Sequence, residues 1–439
     1  MPAIENHLAT CLYGTSDSER EAALHGLAEF ACDDPVGAVR NALRRNWESR
    51  PTGRLENESF ELPIWQARFP EEQLNFLVPE TYAPDTAFGL LVLLHGGGSG
   101  TPREAGAKWL GDSQAGSSYH FADPLREQPY ITLAPGNLQL PTHKRWSTPE
   151  SDEFLIAAIE EAMYRYHIDP DRVAIGGQSM GGFGAYHIAQ TIGDRFSTIG
   201  CHAGAWSYGY WQGMHGVDFY SMQGIHDAVP GERKRFTESP FARFHHAILS
   251  GWHIPHTYRE HNGGHSFSDP EARQLFVDFL DHAARAQRNP WPGHIATASR
   301  KGAFQLQDCP DWFWLSLATH NYDTLSGTIE MDHIETTEPQ PDYATTDFRH
   351  RIIDVRGSAV DARYEGDNRF VLQTRNVFKL SLWLHPGMVD LARPITAVVN
   401  GEERECVVPE PDVATAMKSY LRRRDPATIC PARISLQLY

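Results

Sequence analysis

Long apolar runs are missing from this 439-residue chain. None approaches the roughly 18 residues of a membrane-spanning helix, so no span is expected. Cysteine is scarce and scattered: Cys11, Cys32, Cys201, Cys309, Cys406 and Cys430 form no C-x-x-C pair. That pattern suits reduced thiols in a cytoplasmic protein rather than a disulfide scaffold or a structural zinc site. Basic charge is the minority, with 39 Lys and Arg against 56 Asp and Glu and a net charge of −17. This argues against nucleic acid or an anionic membrane surface as the main partner. The one dense basic run, Arg422-Arg423-Arg424, reads as a solvated helix end. The opening MPAIENHLATCLYG has neither a basic start nor a continuous apolar core, so no secretory signal is expected.

Nucleotide and metal signatures are absent as well. There is no G-x-G-x-x-G, no P-loop ending in Lys-Ser/Thr, and no H-E-x-x-H. No cofactor and no metal is expected.

What is present is an ordinary globular composition, 41% hydrophobic and 22% charged, in a chain too long for one core. Residues 1–55 read as a helical extension: Ser16 or Ser18 caps one helix, and Asp34-Pro35 opens another. Residues 56–290 alternate apolar strands with helices, as a mostly parallel, doubly wound α/β sheet requires. Strands are expected at Glu61–Phe69, Gln73–Val78, Phe88–Leu94, Tyr130–Ala134, Arg172–Gly176, Phe196–Gly200, Phe219–Gln223 and His256–Glu260, the first two as a hairpin. Asn289-Pro290-Trp291-Pro292-Gly293 marks a linker. Residues 295–439 carry short alternating runs, and Asn400-Gly401 between two of them is a strong hairpin signal. A small antiparallel β-sandwich-like domain is expected there, with a role in packing or in a homo-oligomer interface.

The stretch DRVAIGGQSMGGFGAY at 171–186 organises the rest. A β-forming run meets Gly177-Gln178-Ser179-Met180-Gly181, which fits G-x-S-x-G, and helical spacing follows. A strand turning straight into a helix needs a sharp bend, and glycines let it close. The bend would hold Ser179 at a helix N-terminus, where free N–H groups favour developing negative charge. The plain alternative is a glycine-rich strand-to-helix turn with no chemistry. A second glycine loop, His95-Gly96-Gly97-Gly98-Ser99-Gly100, ends the strand Phe88–Leu94. Glycines there allow backbone N–H groups to approach an oxygen closely, although an ordinary tight turn would look the same.

Four stretches in order, HGGG at 95–98, GQSMGG at 177–182, GIHDAVP at 224–230 and NGGHSF at 262–267, make the resemblance specific. Over about residues 60–287 the chain resembles α/β-hydrolases. The nearest branch is the serine esterases, which includes polyhydroxyalkanoate-depolymerase-like, feruloyl-esterase-like and phospholipase/carboxylesterase-like enzymes. The resemblance implies Ser179 as nucleophile, His265 as base and Asp227 as the acid that orients it. It implies an oxyanion hole from the N–H of Met180 and an N–H near Gly97 or Gly98. Gln223 departs from the pattern, where histidine is more usual. Asp227 has competitors in Asp218 and Asp269, the latter placed as a helix cap, or it is a turn residue before Val229-Pro230. His265 competes with His261 and His253. Trp146 and Trp206, and less so Trp211, fall in loops after strand ends, where ligands bind in open α/β sheets. With His95 and Gln178 they are candidates for the substrate pocket. The implied activity is carboxylic-ester hydrolysis through an acyl-enzyme, on a small or polymer-linked ester. The alternatives are a serine peptidase of the prolyl-oligopeptidase type, for which no propeller-sized gate is seen, and a non-catalytic binding protein on the same fold.

Overall fold

Three helices precede the sheet: α1 (Pro2–Tyr13), α2 (Asp17–Leu27) and α3 (Pro35–Ala42). Ser16 begins α2 with a full capping box, its side chain accepting from Glu19 N–H while Glu19 reaches back. Asp34 caps α3, with Pro35 in the first turn. The computed structural model describes residues 2–97, 102–112, 120–136, 146–227, 237–300, 311–318, 327–336 and 348–438.

Among the described residues the central sheet has eight strands: β1 (Gly53–Glu58), β2 (Leu74–Val78), β3 (Phe88–Leu94), β4 (Tyr130–Leu133), β5 (Ile168–Gln178), β6 (Thr198–His202), β8 (Phe219–Gly224) and β9 (His256–His261). Their order is β1-β2-β4-β3-β5-β6-β8-β9. Only β1 and β2 run antiparallel to their neighbours; from β4 to β9 every pairing is parallel. The middle strands are buried on both faces, which is why β3 reads FGLLVLL rather than alternating. β7 (Tyr208–Gly209) leaves this sheet for another.

Helices cover both faces: α4 (Pro63–Arg68), α5 (Pro102–Trp109), α6 (Ala122–Arg126), α7 (Pro149–Arg165), α8 (Met180–Thr191), α9 (Ser239–Gly251) and α10 (Pro270–Arg285). One expectation fails here. Glu61–Phe69 is not the first strand of a hairpin; it holds α4, and the outer strand is β1. The cause is tertiary. Buried Glu161 on α7 accepts from the N–H groups of Glu61 and Leu62 at 2.8 and 3.0 Å, and Pro63 follows in the first turn. An anion at that point satisfies donors a helix start leaves open, a contact no local pattern reveals.

Beyond the linker lie β10 (His294–Arg300), β11 (Asp311–Trp312), β12 (Leu315–Ala318), β13 (Thr328–Thr336), β14 (Phe348–Tyr364), β15 (Arg369–Arg375), β16 (Lys379–Leu384), β17 (Ile395–Val399), β18 (Glu402–Cys406), α11 (Val413–Arg423) and β19 (Ala432–Gln437). Together with β7 they form, among the described residues, a seven-stranded and a four-stranded sheet. The pairing is antiparallel except for β15 with β17, so the larger sheet is mixed. The hairpin at Asn400-Gly401 has both residues at positive φ, 51° and 89°. The larger sheet also takes in β7 from the loop after β6: Asp332 stands opposite Gly209 and His333 opposite Tyr208. Helix α11 turns the other way and packs with α1, α2 and α3 around Leu8, Leu12, Leu27, Val39, Met417 and Tyr420.

A buried ion cluster ties the β-rich region to the sheet. Arg288, 1% exposed at its side chain, bonds Asp171 at 2.8 Å and Asp425 at 2.7 Å, and donates to the Asp194 carbonyl at 3.0 Å. Arg423 pairs with Asp194, whose carboxylate also accepts Phe313 N–H at 2.7 Å. Burial pushes the Asp425 carboxyl up, but Arg288 and then Arg423 and Arg195 overcome this and hold it well below its ordinary range.

Two predictions follow from buried charge and its absence. Arg288→Gln leaves buried Asp425 and half-buried Asp171 short of a partner and should cost about 3–5 kcal/mol; urea unfolding of the full chain measures it, and a loss under 1 kcal/mol would mean the cluster is dispensable. His245, on α9 among the rings of Tyr186, Trp211 and Phe241, is pushed down to about 3 by burial, the Trp206 carbonyl opposing and His350 assisting. Below pH 6.5 the unfolded imidazole takes a proton that the folded one refuses, so stability is full above that value and falls as pH drops. The slope should be up to about 1.4 kcal/mol per pH unit from this one group. In His245→Gln the slope between pH 6.5 and 5 should be shallower by about one proton.

Candidate active site

The bend between β5 and α8 is where the geometry becomes specific. Ser179 sits at φ 56° and ψ −116°, a backbone state that residues with a Cβ seldom adopt. It is held from both sides: its N–H donates to the His202 carbonyl at 3.0 Å and its carbonyl accepts Phe183 N–H at 2.9 Å. The neighbours must be glycine. A Cβ on Gly177 would lie 2.2 Å from the Gly181 carbonyl oxygen, and one on Gly181 would lie 2.2 Å from that of Leu94. Strand, elbow and helix therefore close only with this spacing.

Three side chains far apart in sequence meet at the bend. His265 Nε2 is 2.8 Å from Ser179 Oγ. His265 Nδ1 is 2.9 and 3.1 Å from the two carboxylate oxygens of Asp227. The Asp227 side chain is fully buried, while that of His265 is 34% exposed, so the ring bridges core and solvent.

The loops that carry these groups are laced together. His226 N–H donates to the Gly263 carbonyl at 2.9 Å, and Ile225 N–H to that of His261 at 3.0 Å. Gln178, placed beside the nucleophile by the motif, does not face an open pocket. Its amide donates to the His265 carbonyl at 2.7 Å and fixes the histidine loop. Gln223 explains its own departure from the expected histidine. Its amide donates to Asp227 Oδ2 at 3.2 Å and to the Thr237 carbonyl at 2.6 Å. Thr237 Oγ1 in turn donates to Asp227 Oδ1 at 3.1 Å. The carboxylate thus has hydrogen bonds on both oxygens before His265 is counted.

The competitors are occupied elsewhere. Asp218 bonds His282 at 2.6 Å, and Asp269 caps α10 through the N–H groups of Glu271 and Ala272. His253 ends α9 at φ 55°. His261 faces His202 at the ends of β9 and β6, with 3.1 Å between their Nε2 atoms. Burial first, then His261 and His265, hold the His202 imidazole well below its ordinary range, so it is neutral. This pair, and Thr237, escape sequence reasoning. His202 carries only its place at a strand end as a signal, and Thr237 carries none.

The other pocket candidates divide. His95 is buried, its ring nitrogens each 2.9 Å from a backbone oxygen, of Gly96 and Gly136. Trp146 is 1% exposed and donates from Nε1 to the His95 carbonyl at 3.0 Å. Both brace the start of the glycine loop from beneath, because the loop needs a packed floor. Neither lines an open pocket among the described residues, contrary to expectation. Trp211 is buried too, against Tyr186 and His245. Trp206 is half-buried and, with Phe183, Ala205 and Tyr208, borders a cavity of about 160 Å³. Phe183 stands one helical turn from Ser179, on the same side of α8. Met180 is the first residue of α8, so its N–H has no carbonyl behind it within the helix. Gly97 ends the described part of the glycine loop; Gly98, and Val229-Pro230 after Asp227, lie outside the described residues.

The arrangement can lower the cost of removing the Ser179 hydroxyl proton and can hold the resulting imidazolium against a buried carboxylate. Residues 139–236 match the family model described as "Putative esterase", a stretch that includes Ser179 and Asp227 and ends before His265. No curated protein matches the chain. Among solved structures it is similar to a thermostable esterase (19% identity, TM-score 0.38), covering 50% of this chain and 60% of that one. It is similar to an S-formylglutathione hydrolase of Staphylococcus aureus (14% identity, TM-score 0.36), covering 49% of this chain and 93% of that one. It is similar to a ferulic acid esterase of Anaeromyces mucronatus (17% identity, TM-score 0.35), covering 56% of this chain and 94% of that one. The chain spans only 60% of the length of the thermostable esterase, and at these identities nothing of any neighbour's substrate transfers. The stretch that matches the esterase family model thus contains the elbow and the end of the strand before Asp227, both set in an eight-stranded, mostly parallel sheet.

Proposed function

We propose that the protein hydrolyses carboxylic esters through an acyl-enzyme on Ser179. The observation that carries this is the unbroken line from Ser179 Oγ to His265 Nε2 at 2.8 Å and from Nδ1 to buried Asp227 at 2.9 Å. Serine is a poor nucleophile until a base takes its proton. His265 takes it at Nε2 as Oγ bonds to the ester carbonyl carbon, and Asp227 accepts from Nδ1–H throughout, which fixes the tautomer and stabilises the imidazolium. Negative charge gathers on the former carbonyl oxygen. The N–H of Met180 and an N–H at Gly97 or Gly98 receive it, each such donor contributing about 3–4 kcal/mol in comparable sites. Collapse expels the alcohol, which leaves with the proton from His265. Water then repeats the sequence on the acyl-enzyme, with His265 again as base.

The cavity beside Trp206 and Phe183 is the proposed seat for one arm of the ester, being apolar and a turn of helix from the nucleophile. Its walls select by shape and apolar contact rather than by charge.

Ser179→Ala should lower kcat for p-nitrophenyl acetate by roughly 10⁵–10⁶ with the melting temperature nearly unchanged, and Asp227→Asn by about 10⁴. Intact-protein mass spectrometry during turnover should show an acetyl adduct that is absent from Ser179→Ala. A Ser179→Ala protein that still turns over ester at the parental rate would refute the reading, as would a fluorophosphonate probe that labels another residue.

A further inference from the structure

A sizeable cavity lies away from Ser179. It measures about 470 Å³, inside the roughly 300–1,000 Å³ typical of small-molecule sites. It opens where the N-terminal helices, α7, the start of β5 and the β-rich region meet. Asp171 is on its wall and precedes Ser179 by eight residues of strand, roughly 26 Å at about 3.3 Å per residue.

Its wall is cationic in a chain whose net charge is −17. Arg40, Arg44, Arg45 and Arg424 line it, against the carboxylates of Glu160 and Asp171. Asp171 is already taken by Arg288, and Glu160 accepts from Trp65 Nε1 and Tyr420 Oη. Among the described residues, the partners of the first three arginines are carbonyls and rings, not carboxylates. Arg40 donates to the Pro426 carbonyl at 3.0 Å, and Arg45 to that of Arg40 at 3.3 Å. Arg44 stands 4.1 Å over the Tyr13 ring and Arg45 5.0 Å over that of Trp47. Arg424 Nη1 is buried, lies 3.5 Å from Glu160 Oε1 and makes no hydrogen bond. A guanidinium resting on a ring keeps its planar fork free for a bidentate acceptor. Two such forks, on Arg44 and Arg45, beside Arg40 form a receptor for an anion.

The remaining wall is flat and apolar. Trp47 lies stacked on His167 with ring centres 4.0 Å apart, and Trp291 on His385 at 4.7 Å. Met163, Ile168 and Pro290 fill in between. A bare inorganic anion would leave these surfaces wet, and a neutral ring would leave the guanidinium groups unpaired. From the two together we propose that this cavity binds a small organic anion carrying a planar ring, its phosphate or carboxylate held by Arg44 and Arg45 and its ring against Trp47 and Trp291.

Isothermal titration of the full chain tests this with two anionic probes, AMP and 1-naphthoate, and three controls: adenosine, 1-naphthalenemethanol and inorganic phosphate. At least one ring-bearing anion should bind ten times more tightly than its neutral counterpart and than phosphate. The phosphate and carboxylate arms show which anion the forks accept. The double variant Arg44→Gln, Arg45→Gln should lose tenfold or more of that affinity while ester hydrolysis and the melting temperature of the free protein stay at parental values. Trp291→Ala should weaken the ring-bearing probe and leave phosphate unchanged. Should the double variant fail to fold, Arg45→Gln alone, whose side chain is exposed, carries the same comparison with a loss of threefold or more. Binding of neither anion below 1 mM, or equal binding by parent and arginine variant, would overturn the proposal.

Discussion

One strained residue governs the architecture. Ser179 holds φ 56° and ψ −116° because β5 must end and α8 begin within a single residue. Such a conformation costs on the order of 1–3 kcal/mol and persists only where surrounding structure leaves no choice. Here the choice is removed by the hydrogen bonds to His202 and Phe183 and by glycines whose replacement would drive carbon into carbonyl oxygen. The strain lifts a hydroxyl to the end of the sheet and turns a helix N-terminus toward it. Everything else at the site is arranged around that fixed point.

The proposed acid and base reach the point by different routes. Asp227 is buried and supported on both oxygens by Gln223 and Thr237, so it is pinned before the histidine arrives. His265 rides on a loop tied to the acid loop through backbone bonds and to the elbow through Gln178. Three loops after three different strands thus behave as one piece. Preorganisation of this kind keeps donor and acceptor within hydrogen-bond reach without cost at the moment of reaction.

Much of this was legible in the sequence. The strands of the central sheet announce themselves because burial on both faces demands unbroken apolar runs, as in Phe88–Leu94. The elbow is legible because its chemistry requires glycines at fixed offsets. The failures share a different cause. Residues 63–68 become helical through Glu161, about a hundred positions away, and no window over the segment contains that information. Trp146 falls in a loop that follows a strand in sequence, as a pocket residue would, yet is spent on the floor of the glycine loop. Thr237 and the His202–His261 pair act through contacts that exist only once the sheet has formed.

The short strand at Tyr208–Gly209 leaves the loop that carries Trp206 and pairs with Asp332 and His333 of the β-rich region. One side of the crevice that Trp206 and Phe183 border is therefore anchored in a different sheet from the one that carries Ser179, Asp227 and His265. Substitutions in that outer sheet can therefore reshape the crevice while Ser179, Asp227 and His265 keep their places.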